Sequence, residues 1–178
     1  MRIISGKFKG RRFDLPSSKW KTRPTTDMAK ESLFNILINQ YELSDITVLD
    51  LFSGTGNIGY EFISRGAAHV TFVDKFAGCS RYIENMCKDL GVEQEALIVK
   101  NDVFRFLNST TKTYDIIFAD PPYQLKTIPQ IAQLVFERKL LNPNGCLIIE
   151  HDGGQNFKNH SNFVQFRQYG QSYFSFFE

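Results

Sequence analysis

Asp120-Pro121-Pro122-Tyr123 brings together the groups needed to hold the exocyclic amino group of a nucleobase. The Asp120 carboxylate and the Pro121 carbonyl can accept the two N–H bonds of such an amine, and the Tyr123 ring offers the base a surface to stack on. The prolines make the loop stiff: each fixes its own φ, and Pro122 pushes Pro121 into an extended conformation. The loop follows Tyr114–Ala119, an apolar, β-branched run of the kind that forms a buried parallel strand. A Pro-Pro pair can also do no more than end a strand, so its meaning depends on the residues upstream.

Upstream, Val48 to Gly59 reads as a strand, a glycine-rich turn and the start of a helix, with Gly54, Gly56 and Gly59 in GxGxxG spacing. Nicotinamide, flavin and S-adenosylmethionine (SAM) sites all use such a turn. The acidic residues narrow the choice. Asp50 lies at the strand end, before the turn, where a carboxylate repels a pyrophosphate and suits the ammonium and sulfonium of SAM. Asp74 ends the second strand and can accept both ribose hydroxyls, a feature shared with NAD enzymes. Asp102 follows the third strand, placed to accept from an adenine amino group while Val103 packs beside the ring. Any one of these could be a helix N-cap. Three at successive strand ends, all on the C-terminal edge of one sheet, form a SAM cradle.

The elements that must position these residues alternate. Strands are expected at Thr47–Leu51, His69–Asp74, Ala96–Lys100, Tyr114–Asp120 and Cys146–Glu150, with helices near Ile58–Ser64, Ala77–Leu90, Val103–Leu107 and Ile128–Leu140. Gly66 and Gly91 sit at helix C-caps, and Asn142-Pro-Asn-Gly145 reads as a turn before the fifth strand. Phe163–Tyr169 and Ser172–Phe177 read as two late strands joined at Gly170, giving seven. Before all this, a helix begins after Pro24, with Thr25, Thr26 and Asp27 as candidate N-caps. The fold class is therefore α/β and Rossmann-like: a seven-stranded, mostly parallel sheet with helices on both faces and an N-terminal β-hairpin extension. Residues 1–24 form the arm and 25–178 the main domain.

Charge is unevenly spread. Residues 1–30 hold nine Lys/Arg against Asp14 and Asp27, a balance of +7; the rest holds 12 basic and 17 acidic residues, a balance of −5, so the chain totals +2. A basic hairpin on a mildly acidic body suits a polyanion held through the arm, and Lys7, Lys9, Arg11, Arg12, Lys21 and Arg23 are its candidate RNA-binding residues. Phe8 and Phe13 are placed to anchor the hairpin, and Trp20 either stacks on a base or covers the core. The three cysteines lack CxxC spacing and the three histidines are scattered, so no disulfide framework and no metal site is expected. No apolar run is long enough to span a bilayer and no signal peptide is seen, which fits a monomeric cytoplasmic protein with no membrane partner.

Asp50-Leu-Phe-Ser-Gly-Thr-Gly56 together with Asp120-Pro-Pro-Tyr123 resembles the class I SAM-dependent amino-methyltransferases. With the opening Arg2-Ile-Ile-Ser-Gly-Lys-Phe-Lys-Gly-Arg11, Thr22-Arg-Pro-Thr-Thr-Asp27 and the late Arg167-Gln-Tyr-Gly170, the chain is similar over most of its length to the RsmD-type 16S rRNA guanine-N2 methyltransferases. Asn57, and Asn101-Asp-Val103, depart from the family's usual wording. The resemblance implies that Asp50, Phe52, Gly54, Gly56, Asp74, Asp102 and Val103 line the SAM site, and that Asp120, Pro121 and Tyr123 hold the base. It implies that Arg23 and Thr25 close the pocket, and that the partner is ribosomal RNA of the small subunit or its assembly intermediate. Three other readings share parts of the pattern: a DNA adenine-N6 or cytosine-N4 methyltransferase, a non-catalytic SAM- and RNA-binding module, and a dinucleotide-binding oxidoreductase, which Asp50 opposes.

Overall fold

The computed structural model describes residues 1–14 and 26–178. The expectations for Trp20, Lys21, Arg23 and Thr25 lie outside the described residues. Twelve elements follow in chain order: α1 (Asp27–Gln40), β1 (Thr47–Leu51), α2 (Asn57–Ser64), β2 (His69–Asp74), α3 (Ala77–Leu90), β3 (Ala96–Lys100), α4 (Val103–Ser109), β4 (Tyr114–Ala119), α5 (Ile128–Glu137), β5 (Leu141–His151), β6 (Phe163–Tyr169) and β7 (Ser172–Phe177). They form one seven-stranded sheet in the order β3-β2-β1-β4-β5-β7-β6. The first five strands are parallel; β7 is antiparallel to both β5 and β6.

Alternation along each strand sorts side chains onto two faces. Val48, Phe72, Phe118, Ile148 and Phe174 share a core with α1, α2 and α3. Leu49, Val73, Ile117 and Ile149 share the other with α4 and α5. The crossovers run outward from β1 to β2 and β3, then return to β4 on β1's other side. The β1/β4 boundary is thus the switch point of the sheet, where open α/β sheets bind ligands beyond the strand ends.

Four local expectations change. Asn142–Gly145 is part of β5, not a turn before it: Tyr114 pairs with Leu141 and Ile116 with Cys146, so the extra residues form a bulge that absorbs the turn signal. Asn144 takes φ 64° there, and a Cβ on Gly145 would lie 2.9 Å from the carbonyl oxygens of Asn142 and Asp115. The last helix stops at Glu137, three residues early, with Lys139 at φ 53°. β4 ends at Ala119, which leaves Asp120 in the loop. The N-terminal hairpin has a single antiparallel bridge, Arg2 with Arg12, rather than a ladder.

That hairpin is not a loose arm. Ile3 and Phe13 are buried in the same core as α1 to α3, with Phe8 packed against it. Its backbone is pinned along α2: Ile4 and Ser5 donate to Glu61, Phe8 to the Ser64 hydroxyl and Lys7 to the Ser64 carbonyl. α1 begins at Thr26, whose hydroxyl accepts from the Ala29 N–H.

Candidate active site

β1 delivers Asp50 into the space under α2. Its side chain is buried, and Oδ2 accepts one bond, from the Gly59 N–H at 3.1 Å. Burial, and secondarily the nearby Asp74, push its carboxyl up to about 8 despite that bond. The turn after it is shaped by close approach. Gly56 caps α2 at φ 78°, and a Cβ there would meet the Tyr60 ring at 2.7 Å; a Cβ on Gly59 would lie 2.0 Å from the Phe72 ring. Phe52 takes φ 56°, an unfavourable region for a bulky residue, and its ring meets Phe104 edge-on at 6.5 Å. Ser53, in the same turn, has a buried hydroxyl with no hydrogen-bond partner among the described residues.

Asp74 braces the turn from β2. Its Oδ2 accepts from the Gly54 N–H at 2.9 Å and its Oδ1 from the Phe76 N–H at 2.8 Å. Asp102 caps α4, with Oδ1 accepting from Phe104 and Arg105. Both carboxylates thus have the structural role open to such residues, yet each keeps acceptor capacity for a ligand. Val103 is buried beside Asp102.

Register places Asp120 beside Asp50. Asp50 pairs with Phe118, so Asp120 stands on the neighbouring strand end, on the same face, roughly 7 Å further along. Its N–H reaches the Leu51 carbonyl at 3.3 Å, extending the β1–β4 pairing to the rim. Burial, then Glu150, then Asp50 raise the Asp120 carboxyl well above the usual range. In the loop, the Pro122 carbonyl is engaged by the Leu125 N–H at 2.8 Å, whereas the Pro121 carbonyl accepts none among the described residues. The half-buried Tyr123 directs its hydroxyl to Glu150 Oε1 at 3.4 Å, and burial, with the adjacent carboxylates, raises that phenol to about 12.

Sequence reasoning missed Glu150. It is 2% exposed and is the next-to-last residue of β5, beside Asp120, since Ala119 pairs with Ile149. The available signal was position: it closes the fifth strand as Asp50, Asp74 and Asp102 close or follow the first three. The buried Lys30 was missed as well. Its ammonium donates to Asn57 Oδ1 (2.8 Å) and the Arg2 carbonyl (2.6 Å), and pairs with Glu61 (3.4 Å). Asn57 therefore ties the start of α2 to α1 and the hairpin, which accounts for an amide at that position.

The basic residues of the hairpin occupy a different surface. Lys7 pairs with Glu95 at 3.4 Å; Lys9, Arg11 and Arg12 are exposed and make no ion pair among the described residues. The turn carrying Lys7 and Lys9 lies at the C-terminal end of α2, away from the rim, while Arg2 pairs with Asp27 at the start of α1. The structure thus gathers Asp50, Phe52, Gly54, Gly56, Asp74, Asp102, Val103, Asp120, Pro121 and Tyr123 at one sheet edge, and sets Lys7 and Lys9 at the end of α2 opposite the glycine turn. No group of three or more His, Cys, Asp or Glu placed to hold a metal occurs among the described residues.

A family model described as "Conserved hypothetical protein 95" matches residues 1–178. The chain is 36% identical over 155 residues to the "Putative rRNA methyltransferase YlbH" of Bacillus subtilis, covering 85% of this chain and 83% of that protein. It is 30% identical over 154 residues to the "Ribosomal RNA small subunit methyltransferase D" of Escherichia coli K12, covering 85% and 75%. Among solved structures, the "Putative methyltransferase yhhF from Escherichia coli" superposes with a TM-score of 0.86 at 26% identity, covering 99% of this chain and 96% of that one.

Proposed function

Because this chain belongs to the family of conserved hypothetical protein 95, we propose that it transfers a methyl group from SAM to the exocyclic N2 of a guanine in small-subunit ribosomal RNA. The observation that carries the reading is the adjacency of Asp50 and Asp120 on neighbouring strand ends at the β1/β4 switch point. The relatives named as ribosomal RNA methyltransferases supply the substrate class.

The residues present fit SAM. Asp50 is a buried carboxylate with one hydrogen bond, suited to an ammonium, and the orphaned Ser53 hydroxyl lies in the same turn. Asp74 would receive the ribose hydroxyls, and Asp102 with Val103 the adenine. When bound, SAM supplies an electrophilic methyl. Held by these residues, SAM would give its methyl to the base's nitrogen, with the thioether as leaving group and the amine's displaced proton passing to water.

The protein's part is to prepare the amine. Guanine's amino lone pair is delocalised into the ring. Bonds from the two N–H groups to Asp120 and the Pro121 carbonyl draw the nitrogen toward tetrahedral geometry and offset its growing positive charge, so they strengthen in the transition state. Pro121 is favoured over Pro122 as the acceptor because the Pro122 carbonyl already takes the Leu125 N–H. Tyr123 replaces the stacking that the base loses on leaving its neighbours. Lys9, Arg11 and Arg12 grip phosphates along the flank, with Lys21 and Arg23 assigned to the same task.

Mass mapping of methylated nucleotides in small-subunit RNA, incubated with SAM and the protein, tests the reading. The expected product is a single N2-methylguanine, absent with Asp120→Ala, while that variant still binds SAM by calorimetry. Methyl groups on adenine or cytosine, or transfer only to duplex DNA, would overturn it.

A further inference from the structure

Guanine, adenine and cytosine all present an exocyclic amine, but they differ at the ring nitrogen beside it. Guanine N1 carries a hydrogen and donates. Adenine N1 and cytosine N3 are bare lone pairs and accept. An ionised carboxylate can only accept. One carboxylate near the amine therefore serves all three bases, whereas a second, ionised beside the first, matches only guanine, whose N1–H and amine supply the donors that offset two adjacent negative charges; the other two bases present a lone pair there. Specificity built from such a repulsive element needs no larger pocket.

Asp120 has that second carboxylate next to it. Ala119 and Ile149 are register partners, so Asp120 and Glu150 leave β4 and β5 abreast, about 4.8 Å apart in the direction across the sheet. Both lie on the Phe118/Ile148 face, the same face as Asp50. Glu150 is buried, yet directed at the Asp120–Tyr123 loop, since the Tyr123 hydroxyl bonds its Oε1. The influence of Glu150 on the Asp120 carboxyl places the two groups within electrostatic reach of each other.

We propose that Glu150 is the specificity-determining residue of this site: its carboxylate accepts the N1–H of the target guanine while Asp120 accepts from the N2 amine. The proposal rests on the guanine reading above and adds to it the reason that the site refuses adenine and cytosine. Tyr123 acts here as a positioning residue, holding Glu150 on the rim side of the pocket.

The test uses 2-aminopurine, which keeps the reacting amine but has a bare N1. Small-subunit RNA is rebuilt by ligation with this base in place of the guanine found by mass mapping, and single-turnover methylation is followed with the full chain. Wild type is expected to prefer guanine by about 10³-fold or more, because a site built around a donor rejects the analogue lacking it. Glu150→Gln, whose amide can donate to a bare N1, is expected to lose most guanine transfer and to narrow that preference to about tenfold, with SAM binding by calorimetry unchanged. Wild-type methylation of 2-aminopurine within about tenfold of guanine would defeat the proposal, as would a Glu150→Gln enzyme that keeps the wild-type ratio. If the variant does not fold, wild-type methylation of 2-aminopurine within about tenfold of guanine still defeats the proposal. If no guanine is methylated at all, the functional reading fails; if guanine is methylated without discrimination against 2-aminopurine, only the role of Glu150 fails.

Discussion

Glu61 and Asp50 are both buried carboxylates on the α1–α3 side of the sheet, and their surroundings differ in kind. Glu61 is saturated: it receives the N–H groups of Ile4 and Ser5, the Arg65 guanidinium at 2.9 Å and the Lys30 ammonium at 3.4 Å. Lys30 is correspondingly surrounded by acceptors. Burial alone would lower its ammonium's pKa, and Glu61 opposes that shift. Asp50 has one N–H and, like Asp120, no ion pair among the described residues. Charge that is fully paired inside the chain fixes the structure. Buried carboxyls facing one another without a cation leave a place for one to arrive with a ligand.

That contrast predicts opposite responses to mutation. The largest effect is expected at the saturated site. Glu61→Ala leaves Lys30 buried and uncompensated and frees the hairpin backbone, so urea unfolding should show a loss of about 3–5 kcal/mol. An unchanged urea midpoint would erase the distinction. Asp120→Asn should act the other way: methyl transfer falls about 10²-fold, the worth of one charged hydrogen bond, while stability holds or rises because repulsion between neighbouring carboxyls is removed. A variant that loses activity by unfolding would place Asp120 with Glu61 instead.

Next comes pH. The Asp50 carboxyl sits near 8 in the free protein, and a bound cation favours its ionised form. Below that value binding must expel a proton; above it none is left to expel. SAM affinity should therefore rise up to about tenfold per pH unit from pH 6 toward about 8, then level off, with proton release visible in calorimetry across buffers. Asp50→Asn should weaken binding and flatten the profile. The smallest effect belongs to the flank: Lys9→Glu with Arg11→Glu should reduce the slope of log affinity for RNA against log salt by about two and leave SAM affinity unchanged.

The frame was largely legible in the sequence. β1, β2, β3, β6, β7 and α3 fall on their expected bounds, because each combines clean periodicity with a glycine or polar boundary. The strand-end carboxylates could be gathered at one edge from the sequence because topology alone places them. Glu150 was overlooked because one acid in an apolar strand carries no motif of its own. The Lys30–Glu61 pair was illegible for a related reason: both residues sit on helices that read as ordinary amphipathic surfaces, and only the docking of the hairpin turns them inward. The β5 bulge hid behind a true turn signal, Asn-Pro-Asn-Gly, used inside a strand.

The Ser64 hydroxyl joins the two sides of the hairpin turn, donating to the Ser5 carbonyl and accepting from the Phe8 N–H. The turn is thereby locked to the far end of α2, an eight-residue helix about 12 Å long whose near end is the glycine turn. A grip fixed at a set span from the point of reaction works as a ruler. RNA lying along it would be chosen by how far its susceptible guanine stands from a neighbouring stretch of backbone, and not only by the bases on either side.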